Sequence, residues 1–149
     1  MRSYLFTFLF ALSLISCSST DEEIDCSAQL FPVNLFYLEI IDSDGNNLLS
    51  NQTYDPEQIE VTFNNVVVST VQQVDDDTFI IVFFNGIQSA SPVNLRVTLG
   101  EDEIDEMQLA FTVEELPCRK IYTVQNVIYN DEELEVQTEG DDQKVTIVK

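Results

Sequence analysis

The chain has 149 residues, enough for one domain with a sizeable core, and its 44% hydrophobic and 22% charged residues are ordinary for a folded protein. Twenty-seven Asp and Glu against six Lys and Arg give a formal charge of −21, whose field repels phosphate backbones and anionic headgroups and excludes nucleic acid as a partner. With no His, no Trp and four Gly outside any Gly-x-Gly-x-x-Gly or Gly-Lys-Ser/Thr spacing, the chain lacks the Ser-His-Asp and Cys-His machineries, imidazole metal ligands, the commonest sugar-stacking platform and both familiar phosphate cradles.

Residues 1–16, MRSYLFTFLFALSLIS, place Arg2 beside the free amine, continue through an uncharged stretch from Ser3 and end in small polar residues, the three-part layout of a secretory signal. The apolar core Tyr4 to Ile15 is twelve residues. As a helix it reaches roughly 18 Å, against about 30 Å of hydrocarbon, too short to span comfortably. Ordinary signal peptidase wants small residues at −1 and −3. A cut before Cys17 puts bulky Leu14 at −3, whereas a cut after Ser18 meets the rule with Ser16 and Ser18 and discards Cys17.

The stretch LISC, Leu14 to Cys17, resembles the lipobox of bacterial lipoproteins, where a branched apolar residue at −3 and a small one at −1 precede a cysteine. The resemblance implies that Cys17 becomes the mature N-terminus and carries the lipid anchor, so that the membrane is a partner through that lipid. Each buried methylene contributes about 0.8 kcal/mol, so one acyl chain holds weakly and two or three hold stably. Asp21, Glu22 and Glu23 resemble the surface-export signal of Bacteroidota lipoproteins, and Ser18 after the cysteine resembles the pattern of lipoproteins sent to the outer membrane. The location implied is the outer membrane, facing the surface or the periplasm.

Of three cysteines, Cys26 and Cys118 are left if Cys17 carries lipid or leaves with the leader. An oxidising compartment favours pairing them, the alternative being two reduced thiols. A bridge would close a loop of about ninety residues and contribute about 4 to 5 kcal/mol in the chain-entropy account.

Two-residue periodicity dominates the rest. NLFYLEII sets Phe36, Leu38 and Ile40 on one side, and IEVTF sets Ile59, Val61 and Phe63 there. VVVSTVQQV and FIIVFF follow, the second apolar on both faces, as a central strand covered on each side would be. VNLRVTL alternates on Val93, Leu95, Val97 and Leu99, and DEMQLAFTV on Met107, Leu109, Phe111 and Val113. IYTVQNVIY, LEVQT and VTIV complete the series, with Leu134, Val136 and Thr138 of LEVQT on one face. Turn clusters NN, GEDE, NDEE and EGDD separate the strands, and no stretch shows a capped helical period. The expectation is an all-β domain, an antiparallel immunoglobulin-like β-sandwich of eight or nine strands, with a barrel as the alternative. Its divisions are a signal at 1–16, a lipidated acidic tether at 17–31 and the sandwich at 32–149.

The connection at 42–58, DSDGNNLLSNQTYDPEQ, exceeds the usual loop length and has room for a short extra strand or a functional excursion. LFYLEIIDSDGNNLL and YDPEQIEV resemble small lipoproteins of Bacteroidota that carry no assigned activity. That resemblance implies a sandwich domain. Asp42, Asp44 and Asn46 invite a calcium reading, but placing Gly45 at position 6 of an EF-hand puts Ile40 at position 1 and Asn51 at position 12, so the match is to a turn. Asp75 to Thr78 and Gly100 to Glu103 read as charged hairpin ends, which at one end of a sandwich can also converge on an ion.

Tyr37, Tyr54 and Tyr129 are candidates for a contact patch or for the edge of the core. Neither catalytic residues nor metal ligands nor a cofactor are assigned, and paired carboxylates are expected by chance in so acidic a chain. The expected function is a non-catalytic binding or accessory module at the outer membrane, with a protein of the cell envelope as a candidate partner. The alternative is a calcium-dependent adhesin-like or structural surface domain.

Overall fold

The computed structural model describes residues 26, 35–87 and 91–149. The signal, Cys17 and all of the tether except Cys26 lie outside the described residues. In chain order the strands are β1 (Phe36–Ile41), β2 (Glu60–Phe63), β3 (Val66–Val67), β4 (Ser69–Val74), β5 (Asp77–Val82), β6 (Val93–Thr98), β7 (Ile104–Leu116), β8 (Arg119–Tyr129), β9 (Glu132–Leu134), β10 (Gln137–Glu139) and β11 (Asp142–Val148). They form a five-stranded sheet in the order β10-β11-β1-β5-β4 and a six-stranded sheet in the order β3-β2-β6-β7-β8-β9. The domain is therefore all-β.

Alternation drives both sheets. In β1 the residues Phe36, Leu38 and Ile40 are fully buried, and Val93, Leu95 and Val97 of β6 and Met107 and Leu109 of β7 face the same core from the other sheet. Each such side chain contributes about 1.5 to 3 kcal/mol on burial. The outward residues of β1 serve the surface: Glu39 pairs with Lys144 and accepts from the Thr146 hydroxyl, and the Tyr37 ring meets Phe79 edge-on at 5.6 Å. Pairing is antiparallel except between β1 and β11, which run parallel with Phe36 opposite Gln143 and Ile41 opposite Val148. A parallel neighbour needs a long crossover, and here the crossover is almost the whole domain.

Nine apolar runs were expected and eleven strands are found, because two runs each divide between the sheets. VVVSTVQQV is β3, then Val68, then β4. The Val68 N–H bonds to the Val61 carbonyl of the six-stranded sheet at 2.8 Å, while its own carbonyl accepts from the Phe83 N–H at 2.7 Å. LEVQT likewise leaves the six-stranded sheet at Leu134 and joins the five-stranded one at Gln137, so Leu134 and Thr138 do not share a sheet. Each lateral margin is thus crossed by one continuous segment, and the edge strands it leaves are short or polar, which blunts edge-to-edge association.

Turns follow the predicted clusters. Asn64 and Asn65, between paired Phe63 and Val66, both have positive φ, as do Asn130 and Asp131 between paired Tyr129 and Glu132. Two-residue hairpins require that conformation, and Asn and Asp tolerate it. FIIVFF forms strand only to Val82. Ile80, Ile81 and Val82 are all buried between β1 and β4, and Phe84 then opens a 3-10 turn, where its ring stacks on Tyr122 at 5.0 Å.

Strand β8 contains a bulge. Ala110 pairs with Asn126 but Phe111 with Val124, so Gln125 is the extra residue, and the parity change keeps Val124 inward along with Val127 and Tyr129. Val113 was expected inward and is 42% exposed. Its parity is that of Phe111, but β6 pairs with β7 only as far as Leu109, so β7 and β8 continue past the core as a two-stranded arm.

Candidate functional site

The arm ends in a two-residue turn, Pro117-Cys118, and Cys118 is bonded there to Cys26, with Cα atoms 5.3 Å apart and a sequence separation of 92. The predicted bridge is present. It ties the N-terminal segment to the tip of the longest hairpin.

The acidic loops do something other than gather. Asp42 Oδ1 accepts from the N–H groups of Asp44 and Asn46, and Oδ2 accepts from the Asn46 amide. Those bonds, the Asn46 side chain first, lower the Asp42 carboxyl below the usual carboxylate range. Gly45, at φ +85°, completes the bend. Further along, Asn47 is buried: its Oδ1 accepts from the N–H groups of Leu49 and Ser50, and its Nδ2 donates to the Thr78 carbonyl. Ser50 Oγ accepts from the Thr78 N–H, so this loop pairs with β5 beyond the point where β1 stops pairing with it. The connection at 42–58, expected to hold a short extra strand or a functional excursion, is on this side a side-chain-built replacement for a strand. Among the described residues no three His, Cys, Asp or Glu side chains are grouped to hold a metal.

A polar network joins the two sheets at the end opposite the disulfide. Lys149 Nζ, next after β11, donates to Glu103 Oε1 at 2.7 Å and to Asp105 Oδ2 of β7 at 2.5 Å. Tyr129 of β8 donates its hydroxyl to Asp105 Oδ2, the Asn130 amide donates to Asp105 Oδ1, and Tyr54 from the long loop donates to Glu103. The Lys149 ammonium also lies 5.5 Å from the Tyr129 ring centre.

Burial alone would raise the Asp105 carboxyl, but the bonds from Lys149, Tyr129 and Asn130 outweigh it and hold it below the ordinary range. Burial would lower Lys149, and its two carboxylate partners raise it instead. Burial and Asp105 together push Tyr129 far up. None of the three is poised near neutral pH, where general acid–base work needs its groups, so the cluster is an electrostatic staple between sheets. Sequence analysis named Tyr54 and Tyr129 as candidates for a contact patch or for the edge of the core, and the structure places both at the core, Tyr54 packed against it and Tyr129 within it. Tyr129 is buried and both hydroxyls are bonded to carboxylates. The staple was missed because Tyr54, the neighbouring acids Glu103 and Asp105, Tyr129 and Lys149 come from four separate stretches of the chain, with only the alternation of β7 hinting that Asp105 shares the parity of Met107.

The outer face of the six-stranded sheet carries a depression of about 650 Å³ lined by Thr62, Asn94, Arg96, Glu106, Gln108 and Ile128, with the Asn64-Asn65 turn and Asp131 at its margins. Arg96 stands directly opposite Thr62 on one neighbouring strand and Glu106 on the other. Gln108 donates to Asn94 Oδ1 at 3.1 Å, leaving one amide oxygen and one amide nitrogen of the pair for the depression. Beside it on β8, Asn126 donates to Glu133, and its Oδ1 is the single buried side-chain oxygen or nitrogen among the described residues with no hydrogen-bond partner.

The chain matches no family model, no curated protein and no solved structure.

Proposed function

We propose that the chain is an exported lipoprotein, anchored through Cys17, whose immunoglobulin-like sandwich serves as a non-catalytic binding module at the outer membrane. The observation that carries this reading is the bond between Cys26 and Cys118. Disulfides belong to oxidising compartments, and this one consumes two of the three cysteines, leaving Cys17 alone in LISC at the end of the signal-like segment. Two sheets of five and six strands with a common core support the sandwich.

The test is Cys17→Ser with fractionation of cells and intact mass of the membrane fraction. The parent chain pellets with envelopes and carries the mass of two or three acyl chains beginning at Cys17, while the variant does not pellet. An envelope-bound variant, or an unacylated chain beginning at Ser19, overturns the proposal.

A further inference from the structure

Resting on the reading of this chain as a binding module, we infer that the depression around Arg96 and Glu106 on the outer face of the six-stranded sheet is a binding site for a neutral oligosaccharide. The starting observation is the state of Arg96. Lys120, Lys144 and Lys149 are each within ion-pair distance of a carboxylate and Arg119 is engaged as well, but among the described residues Arg96 has no carboxylate within 4.0 Å and no hydrogen bond, in a chain of charge −21. Among the described residues the Glu106 carboxylate, directly across the strand pair, has no hydrogen-bond or ion-pair partner either, its backbone N–H being taken by Asn130 Oδ1. A guanidinium with five donors and a carboxylate with two acceptor oxygens therefore stand side by side with their capacity turned to solvent.

The ligand must satisfy both. An anion gains Arg96 but meets Glu106, Asp131 and the negative field of the whole domain. A cation gains those acids and meets Arg96. A sugar hydroxyl both donates and accepts, and vicinal hydroxyls span a guanidinium or a carboxylate in pairs without carrying charge. The Thr62 hydroxyl and the open halves of the Asn94 and Gln108 amides extend the same donor and acceptor row.

A peptide is disfavoured because Leu95 and Met107, at the floor, are buried, leaving Ile128 as the main apolar contact, too little to anchor side chains. With no tryptophan platform, hydrogen bonds carry the recognition, and the affinity is modest.

The experiment is calorimetric titration of the full chain, in micelles of a detergent that contains no sugar, with cellohexaose, maltohexaose, mannohexaose and xylohexaose as neutral probes. Hexaglucosamine serves as the cationic probe and tetragalacturonate as the anionic one. At least one neutral hexasaccharide binds saturably and more tightly than either charged probe. Arg96→Ala and Gln108→Ala each weaken it about tenfold, about 1.4 kcal/mol. Lys120→Ala, on the arm, leaves it unchanged. Circular dichroism confirms that each variant is folded.

Saturable binding that survives Arg96→Ala, preference for a charged probe, or heat from none of the four neutral hexasaccharides overturns the inference. A chain that pellets with envelopes yet binds no neutral hexasaccharide keeps the anchored reading and loses this one. A chain that binds the sugar yet does not pellet does the reverse.

Discussion

Gln143 of β11 bonds both backbone groups of Val124 on β8: its Oε1 accepts from the Val124 N–H at 2.7 Å, and its Nε2 donates to the Val124 carbonyl at 3.0 Å. The pair lies at the bulge, beyond Val127 where β9 stops pairing with β8, so a single side-chain amide supplies what the absent neighbouring strand would have supplied.

Gln143→Ala therefore strands two buried backbone groups and lowers stability by about 2 to 3 kcal/mol, whereas Gln143→Glu keeps the acceptor, loses the donor and brings a charge to a buried site. Urea unfolding of both variants checks this. A cost for Gln143→Ala below about 0.5 kcal/mol, the range of ordinary surface substitutions, contradicts the role given to the amide.

Asn47 plays the matching part at β5. Asn47→Ala removes two acceptor bonds and one donor bond at once, costs about 2 kcal/mol, and frees residues 47–50 from Thr78. Hydrogen exchange should show the amides of Leu49, Ser50 and Thr78 losing protection while those of β7 keep theirs. Uniform loss across the domain would assign Asn47 to global stability alone.

The Lys149 staple makes stability depend on pH at both extremes. The Asp105 carboxyl is lowered on folding, so its contribution is complete above the unfolded aspartate value near 3.9 and is lost as pH falls through the lower folded value. Lys149 is raised, so its contribution is complete below the unfolded lysine value near 10.4 and is lost as pH rises through the higher folded one. A plateau between about pH 4 and pH 10 is expected from these two groups. Asp105→Asn lowers that plateau and flattens the acid limb relative to the parent. An unchanged acid limb in the variant would remove Asp105 from the account.

Reduction, or Cys26→Ser with Cys118→Ser, lowers the melting temperature through a loss of up to about 4 to 5 kcal/mol, mainly by releasing the unfolded chain. The double variant costs little more than either single one, because each already breaks the bond. Peptide mapping without reductant identifies the Cys26–Cys118 peptide, and its absence contradicts the bridge directly.

Strand existence was legible wherever one face is buried, because alternation on Phe36, Leu38 and Ile40 or on Val93, Leu95 and Val97 admits a single parity. The sheet to which a strand belongs was not. Nothing in VVVSTVQQV marks Val68 as the point of exchange, since its burial and its two bonds depend on Val61 and Phe83, which the chain brings up from either side. The stop of the core at Phe111 was equally invisible from β7, since it depends on where β6 begins. Buried Gln143 and Asn47 looked like surface residues because their value lies in unpaired backbone elsewhere. In the proposed site, Arg96 and Glu106 read as outward residues on separate strands, and only the register sets them opposite each other.

The bond at the tip of the arm also decides how the domain bears load. A pull on the chain ahead of Cys26 passes through sulfur to Cys118 and bypasses residues 27–35, so β1 is not the strand on which tension falls. It enters along the axes of β7 and β8, whose ladder runs from Leu116 opposite Arg119 to Met107 opposite Tyr129. Because the pull reaches both strands at their common turn, it is passed on as shear along the rungs between β7 and β6, from Val93 opposite Leu109 to Thr98 opposite Ile104, loaded together.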